Sequence, residues 1–163
     1  MVKRIVVIET PRGSAEKFAF DPEHQAFVLK KMLPVGMVFP FDFGFIPGTK
    51  ADDGDPVDVV VLSRCKSFPG CRVECRIVGA LLARQQKRDK KPKSMIRNDR
   101  LIAIPQAAHD MDGVKSLEDL PASMLEALEQ FFVNYLAQEG TKVQVLERAS
   151  ASRAKKLIAK HES

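Results

Sequence analysis

Three aspartates, Asp53, Asp55 and Asp58, lie close together in the chain at D-x-D-x-x-D spacing, and the apolar run 59–62 follows immediately. Pro56 interrupts an extended backbone, so we read the stretch as a turn that leads into a buried strand. In a turn the three carboxylates can face a common point, where they repel one another unless a hard cation such as Mg²⁺ neutralises them. The spacing therefore indicates a magnesium site.

An ordinary acidic turn in front of a core strand explains the same spacing, and the pattern alone leaves both interpretations open. An EF-hand is excluded, because that loop requires glycine at the position of Asp58 and glutamate at the position of Arg64. His24, His109 and His161 are scattered and form no ligand or nucleophile pattern. The aspartates are therefore the first candidates for chemistry.

A strongly basic segment spans residues 84–100 and holds eight basic side chains against two acidic ones. Such a run is most often a solvated loop, and we favour that interpretation over a binding role. If the segment binds a partner, its charge favours phosphate, polyphosphate or nucleic acid. It contains no aromatic residue on which a base could stack, so nucleic-acid binding is not favoured.

Length and composition are typical of one globular domain, which we expect to span residues 1–163 with the basic segment inserted within it. No stretch approaches the ~20 apolar residues that cross a bilayer, and the first residues are too short an apolar run for a signal peptide. We therefore expect a cytoplasmic protein that does not associate with a membrane. Cys71 and Cys75 lie on the same face of a predicted strand, and we expect their thiols to be buried and not to form a disulfide.

Short strands separated by turns are predicted over most of the chain, with two helices near its end. The strands are predicted at 3–9, 17–20, 27–31, 57–62, 72–83, 101–104 and 142–147. Apolar residues recur at helical spacing over 124–135, Gly140 ends this helix, and a basic helix begins near Ser152. This order predicts a mainly β (α+β) fold, a small closed barrel flanked by two α-helices.

The segment Asp53-Gly54-Asp55-Pro56-Val57-Asp58 matches the pattern D-[SGDN]-D-[PE]-[LIVMF]-D throughout, which is the signature of the family I soluble inorganic pyrophosphatases. From about residue 3 to about residue 145, the chain resembles the bacterial short type of that family. Further landmarks follow in the family's order: Val7-Ile8-Glu9-Thr10-Pro11, Lys17-Phe18, residues 39–46, Val78-Gly79, residues 100–105, Asp119-Leu120-Pro121 and residues 131–135. The resemblance implies a barrel related to the OB fold and assembly as a homo-oligomer, commonly a homohexamer.

The resemblance also implies a role for individual residues. Asp53 and Asp58 would ligate Mg²⁺, with Mn²⁺ as an alternative ion, and Asp55 would be the general base for the attacking water. Glu9 would hydrogen-bond water beside the metal, and Asn98 would offer the metal a neutral carbonyl oxygen. Pyrophosphate would be held by four side chains: Lys17, Lys31, Arg100 and Tyr135. Tyr135 would in addition be a catalytic residue.

From the residues alone, other interpretations of these positions stay open. Tyr135 also suits the buried face of its helix, and Glu9 and Lys17 also suit strand residues that face water. Several positions depart from the family pattern: Ala19 for glutamate, Gln85 and Asn98 for aspartate, Lys31 for arginine, Phe39 and Phe43 for tyrosine, Leu136 and Thr141 for lysine. A charge-assisted hydrogen bond to the substrate is worth roughly 1.5–3 kcal/mol, so we expect these replacements to reduce turnover.

Three functions of different classes result. The first is Mg²⁺-dependent hydrolysis of pyrophosphate, supported by the retained aspartate motif. The alternative is a non-catalytic relative that binds a phosphate-rich ligand or a protein partner, supported by the substituted positions. A nucleic-acid module on an OB-like barrel is the third, supported only by the basic segment.

Overall fold

The computed structural model describes residues 1–86 and 94–162, which form nine strands and two α-helices. The strands are β1 (Lys3–Thr10), β2 (Glu16–Asp21), β3 (Ala26–Met32), β4 (Asp42–Phe45), β5 (Asp58–Val61), β6 (Arg72–Gln86), β7 (Met95–Arg97), β8 (Arg100–Pro105) and β9 (Val143–Ser150). The helices are α1 (Ala122–Gln138) and α2 (Ala151–His161), and short 3-10 turns lie at His109–Met111 and Leu117–Asp119.

Five strands pair in a closed ring, which makes the main sheet a small barrel. β4 pairs with β1 and β5, β5 pairs in parallel with β8, and β8 pairs with β6. β6 then pairs with β1, so that the ring closes. The second half of β6 also pairs with β7 and β9, while β2 and β3 form a separate hairpin.

Strands β5, β6 and β8 are buried on both faces, which explains why they read as nearly continuous apolar runs. One face belongs to a cluster that includes Val59, Val61 and Leu101, and α2 packs Ile158 against it. The opposite face belongs to a second cluster, which α1 covers with side chains that include Phe132. Each helix thus covers one layer of apolar strand side chains.

The predicted mainly β barrel with two helices is confirmed, but the sequence does not predict β4. In this strand the buried positions are Asp42 and Gly44, and the phenylalanines alternate with them. The apolar-inside pattern is therefore inverted, so periodicity gives no signal. Gly44 is required by a close approach, because a Cβ there would lie 2.1 Å from the carbonyl oxygen of Val7.

The basic segment 84–100 is a loop only in part. Residues 84–86 complete β6, Met95–Arg97 form β7 and Arg100 begins β8, so the loop prediction is wrong for these residues. Residues 87–93 of the predicted loop lie outside the described residues. Strands β6 and β7 pair with each other, with Arg84 opposite Arg97.

Other local predictions hold with small changes. β9 continues to Ser150, beyond the predicted end at 147, and the Ser150 hydroxyl caps α2 by accepting from the Arg153 amide at 3.2 Å. Cys75 is buried as predicted, whereas Cys71 is only half-buried although burial was predicted, and both are free thiols. Among residues 1–86 and 94–162, no helix has the length and apolar character that crossing a membrane requires.

Candidate active site

The site is centred on two residues that lie far apart in the chain and begin neighbouring strands. Asp58 is the first residue of β5, Arg100 is the first residue of β8, and the parallel register places them opposite each other. Parallel strands bring their first residues to the same edge of a sheet. The register therefore places a carboxylate beside a guanidinium at one edge of the barrel.

Arg100 is buried, with 6% of its surface exposed, and its guanidinium has defined partners. It donates to the carbonyl oxygen of Asn98 at 3.0 Å and to Oε1 of Gln85 at 3.3 Å, and it lies 4.2 Å from the centre of the Phe132 ring. Burial lowers the pKa of Arg100, an effect that the carboxylates of Asp58 and Asp53 oppose. Its charge is thus close enough to Asp58 and Asp53 to be stabilised by their carboxylates.

Several acidic groups surround Asp58. Burial is the main cause that raises the pKa of Asp58 to about 7; Arg100 lowers it, and Asp53, Glu9 and Asp55 raise it further. Burial also raises the pKa of Asp53 and of Glu9. The structure therefore brings four predicted carboxylates close enough to repel one another.

The loop that carries two of the aspartates is closed by its own hydrogen bonds. The Asp55 amide donates to Oδ1 of Asp53 at 3.0 Å, and the Ala51 amide donates to the Asp55 carbonyl at 2.7 Å. Gly54 takes a φ of 89°, which favours glycine at the tip. This geometry fixes the backbone of Asp53 and leaves the side chain of Asp55 exposed.

Glu9 reaches the same site from a β-bulge in β1. The register with β4 shifts between Ile8 and Thr10, and Glu9 is the residue in between. Its Oε2 accepts from the Phe20 amide at 2.8 Å. Phe20 and then Lys17 lower the Glu9 pKa against the effect of burial.

Two lysines of the β2–β3 hairpin point at one tyrosine of α1. Lys17 and Lys31 lie opposite each other in the hairpin, with their Nζ atoms 5.8 and 4.4 Å from the centre of the Tyr135 ring. Lys31 also forms an ion pair with Glu139. Tyr135 is buried against Phe39 and Phe131, which agrees with its place on the buried face of the helix, while its predicted contact with phosphate stays a prediction.

The side chain of Asn98 is hydrogen-bonded to that of Gln85, a pairing of two amides that the sequence does not reveal. Its Nδ2 donates to Oε1 of Gln85 at 3.0 Å, and that same oxygen accepts from Arg100. Gln85 is therefore a functional candidate that is absent from the predicted site. The signal for it in the sequence is that the resemblance implies an aspartate at this position.

The donor set suits a hard divalent cation, because carboxylate oxygens dominate it and their mutual repulsion favours neutralisation. In the described part of the chain, a single set of three acidic, histidine or cysteine side chains has its ligand atoms all within 4.8 Å of one another: Asp21, Glu23 and His24. This set lies at the turn of the β2–β3 hairpin, where Nδ1 of His24 and Oδ2 of Asp21 already lie within hydrogen-bond distance, at 2.7 Å. The three predicted aspartates are spaced more widely.

Fold and site together define a small β-barrel protein with carboxylates and cations at one edge of the barrel. The sequence matches the family described as inorganic pyrophosphatase over residues 6–163. The inorganic pyrophosphatase of Thermus thermophilus is 38% identical over 137 residues, which cover 84% of this chain and 74% of that protein. That of Halalkalibacterium halodurans is 36% identical over 155 residues, which cover 93% and 88%.

Solved structures agree with the sequence matches. The crystal structure of an inorganic phosphatase from Anaplasma phagocytophilum has a TM-score of 0.87 at 32% identity and covers 98% of this chain and 91% of that one. The inorganic pyrophosphatase structure from Thermus thermophilus has a TM-score of 0.85 at 32% identity, with 96% and 87% covered. The chain belongs to the inorganic pyrophosphatase family.

Proposed function

We propose that this chain hydrolyses inorganic pyrophosphate to two phosphates with Mg²⁺, and that Mn²⁺ is the alternative ion. The observation that carries the proposal is the register of Asp58 with Arg100, with further carboxylates close enough to raise the Asp58 pKa. Carboxylates beside a buried guanidinium suit a polyanion that arrives with a cation, because the carboxylates meet the metal and the guanidinium meets phosphate oxygens.

On the acidic side of the site, Asp53 and Asp58 would hold the cation, and Asn98 would add an amide oxygen. A bound divalent cation offsets phosphate charge and lowers the pKa of water beside it. Asp55 would accept the proton of the attacking water, whose oxygen bonds to one phosphorus while the bridging P–O bond breaks and the second phosphate leaves. Glu9, oriented by the Phe20 amide, would hydrogen-bond water beside the cation.

On the basic side, the proposed phosphate contacts are Lys17, Lys31, Arg100 and Tyr135. The hairpin and α1 place the two lysine ammonium groups around the tyrosine ring, and β8 places the guanidinium next to the carboxylates. The neutral pair of Gln85 and Asn98 contributes less electrostatic stabilisation than two carboxylates with an additional metal ion would. We therefore expect metal-dependent hydrolysis with reduced turnover.

The proposal extends to the state of the protein in the cell. It includes one domain over residues 1–163, a cytoplasmic location, and a homo-oligomer, a hexamer by family resemblance. Light scattering coupled to size-exclusion chromatography tests the assembly, and a monomer at micromolar concentration would contradict it.

The decisive experiment measures phosphate release from pyrophosphate with Mg²⁺ and, separately, with Mn²⁺, for the wild type and Asp55→Asn. A general base contributes about 10²- to 10⁴-fold, so the variant should lose at least about 100-fold in rate. Asp52→Asn is the matched control, because Asp52 is an exposed aspartate of the same loop. Release by the wild type that needs no metal, or an Asp55→Asn rate equal to the control, would contradict the mechanism. No release from folded wild type would favour the non-catalytic alternative.

A further inference from the structure

The aspartate loop, residues 50–56, is held from outside by the residues that end α2. The Lys50 amide donates to the carbonyl oxygen of His161 at 2.9 Å, and Thr49 and Glu162 form an antiparallel β-bridge. Ala51 and His161 also line one small cavity together. The loop is thus joined to α2 at its first residue.

The other side of this junction is tied to the barrel. Oε1 of Glu162 accepts from Nε and from Nη2 of Arg4 at 3.2 and 2.9 Å, and Arg4 belongs to β1. α2 itself is anchored, because Ala154 and Ile158 are fully buried in the core. The residues after this anchor therefore have a fixed position from which to hold the loop.

The start and end of the loop are also locked together from within. The buried Thr49 hydroxyl donates to the Ile46 carbonyl at 2.6 Å and accepts from the Val57 amide at 2.9 Å. Thr49 is the residue that bridges to Glu162, so one residue connects the α2 end to both ends of the loop. These contacts connect Glu162 through Thr49 with the backbone of the loop that carries Asp53 and Asp55.

We infer that His161 and Glu162 act as a clamp that positions the aspartate loop for cation binding. This inference rests on the proposed function in that it takes Asp53 and its neighbours as the cation site. His161 and Glu162 are positioning residues: they touch the loop backbone and the β1 arginine, and they act on the cation through the loop.

The test removes the clamp and measures cation affinity directly. The variants are Glu162→Gln, Arg4→Gln, their combination, and truncation after Lys160, which removes both clamp residues. The matched control is Glu147→Gln, which breaks the 3.0 Å ion pair of Glu147 with Arg153, a residue of the same helix α2. Both ion pairs are substantially exposed, so all the single variants should fold.

Two readouts separate positioning from general stability. The Mn²⁺ dissociation constant, measured by electron paramagnetic resonance, should rise about two- to fivefold in the single clamp variants and further in the truncated protein, with no change in the control. Amide hydrogen exchange at Lys50 and Ala51, whose amides are bonded across the junction and the loop, should become faster in the same variants.

An unchanged Mn²⁺ affinity and unchanged exchange in the clamp variants would overturn the inference. Affinity loss equal in the clamp variants and in Glu147→Gln would overturn it as well. The two failures are distinguishable, because absence of phosphate release from the wild type contradicts the proposed function, whereas cation affinity and loop exchange judge the clamp by themselves.

Discussion

Replacing Asp58 by asparagine is expected to stabilise the metal-free protein while removing its proposed activity. Asp58 is a half-buried carboxylate whose neighbours include three further acidic groups, and burial with these neighbours raises its pKa from 3.8 to about 7. Asparagine has nearly the same shape and carries no charge. The variant therefore keeps the packing and loses the repulsion.

The size of the effect is set by the pKa change. A rise from 3.8 to about 7 corresponds to about 4 kcal/mol of unfavourable free energy for the ionised side chain in the folded state. Because the side chain keeps some contact with water, we take about half of this value, ~2 kcal/mol, as the expected gain at pH 8. A gain of that size from one polar substitution is uncommon.

The pH dependence provides a second test with a definite sign. A carboxyl whose folded-state pKa exceeds its unfolded-state pKa contributes stability that is fully present below the unfolded value and is lost as the pH rises through the folded one. For Asp58 that window runs from about pH 4 to about pH 7. The advantage of Asp58→Asn should therefore shrink to less than half at pH 5.

The assay is urea unfolding in EDTA, followed by circular dichroism because the chain has no tryptophan. Asp52→Asn, an exposed aspartate of the same loop, should change the free energy of unfolding by less than about 0.5 kcal/mol. Adding Mg²⁺ should stabilise the wild type and not Asp58→Asn, because ligand binding stabilises only the form that binds. An Asp58→Asn variant that is no more stable than the wild type at pH 8, or whose gain is the same at pH 5, would contradict the expected repulsion at Asp58.

Three further predictions test the supporting contacts. Gln85→Leu removes the oxygen that accepts a hydrogen bond from Arg100, and it should weaken pyrophosphate binding by about 10-fold in isothermal titration. Its Mn²⁺ affinity should change little. Pyrophosphate binding equal to that of the wild type would show that Gln85 has no role in orienting Arg100. Arg100→Met leaves the carboxylates without their buried cation and should destabilise the fold by about 3–5 kcal/mol in urea unfolding. An unchanged urea midpoint would contradict this prediction. Gly79→Ala places a Cβ 2.4 Å from Leu117 Cγ and should cost about 1–3 kcal/mol by thermal unfolding, whereas Gly113→Ala, with open space around it, should be tolerated.

Local patterns predict much of this molecule. The aspartate spacing, the apolar strand after it and the helical period over 124–135 are signals carried by neighbouring residues, and the barrel class follows from their order. Such patterns do not predict β4, because its buried positions hold aspartate and glycine. They do not predict β7 either, because three residues are too few to show a period.

The order of residues along the chain is therefore enough to specify most of the elements, the family signature and the types of the candidate site residues. Which of those residues meet is settled by the folded molecule: Asp58 opposite Arg100, Gln85 bonded to Asn98, and His161 and Glu162 against the aspartate loop. The physical reason is that these partners come from strands and helices distant in the chain. Their contacts arise from sheet register and packing, and the periodicity of any one segment carries no record of either.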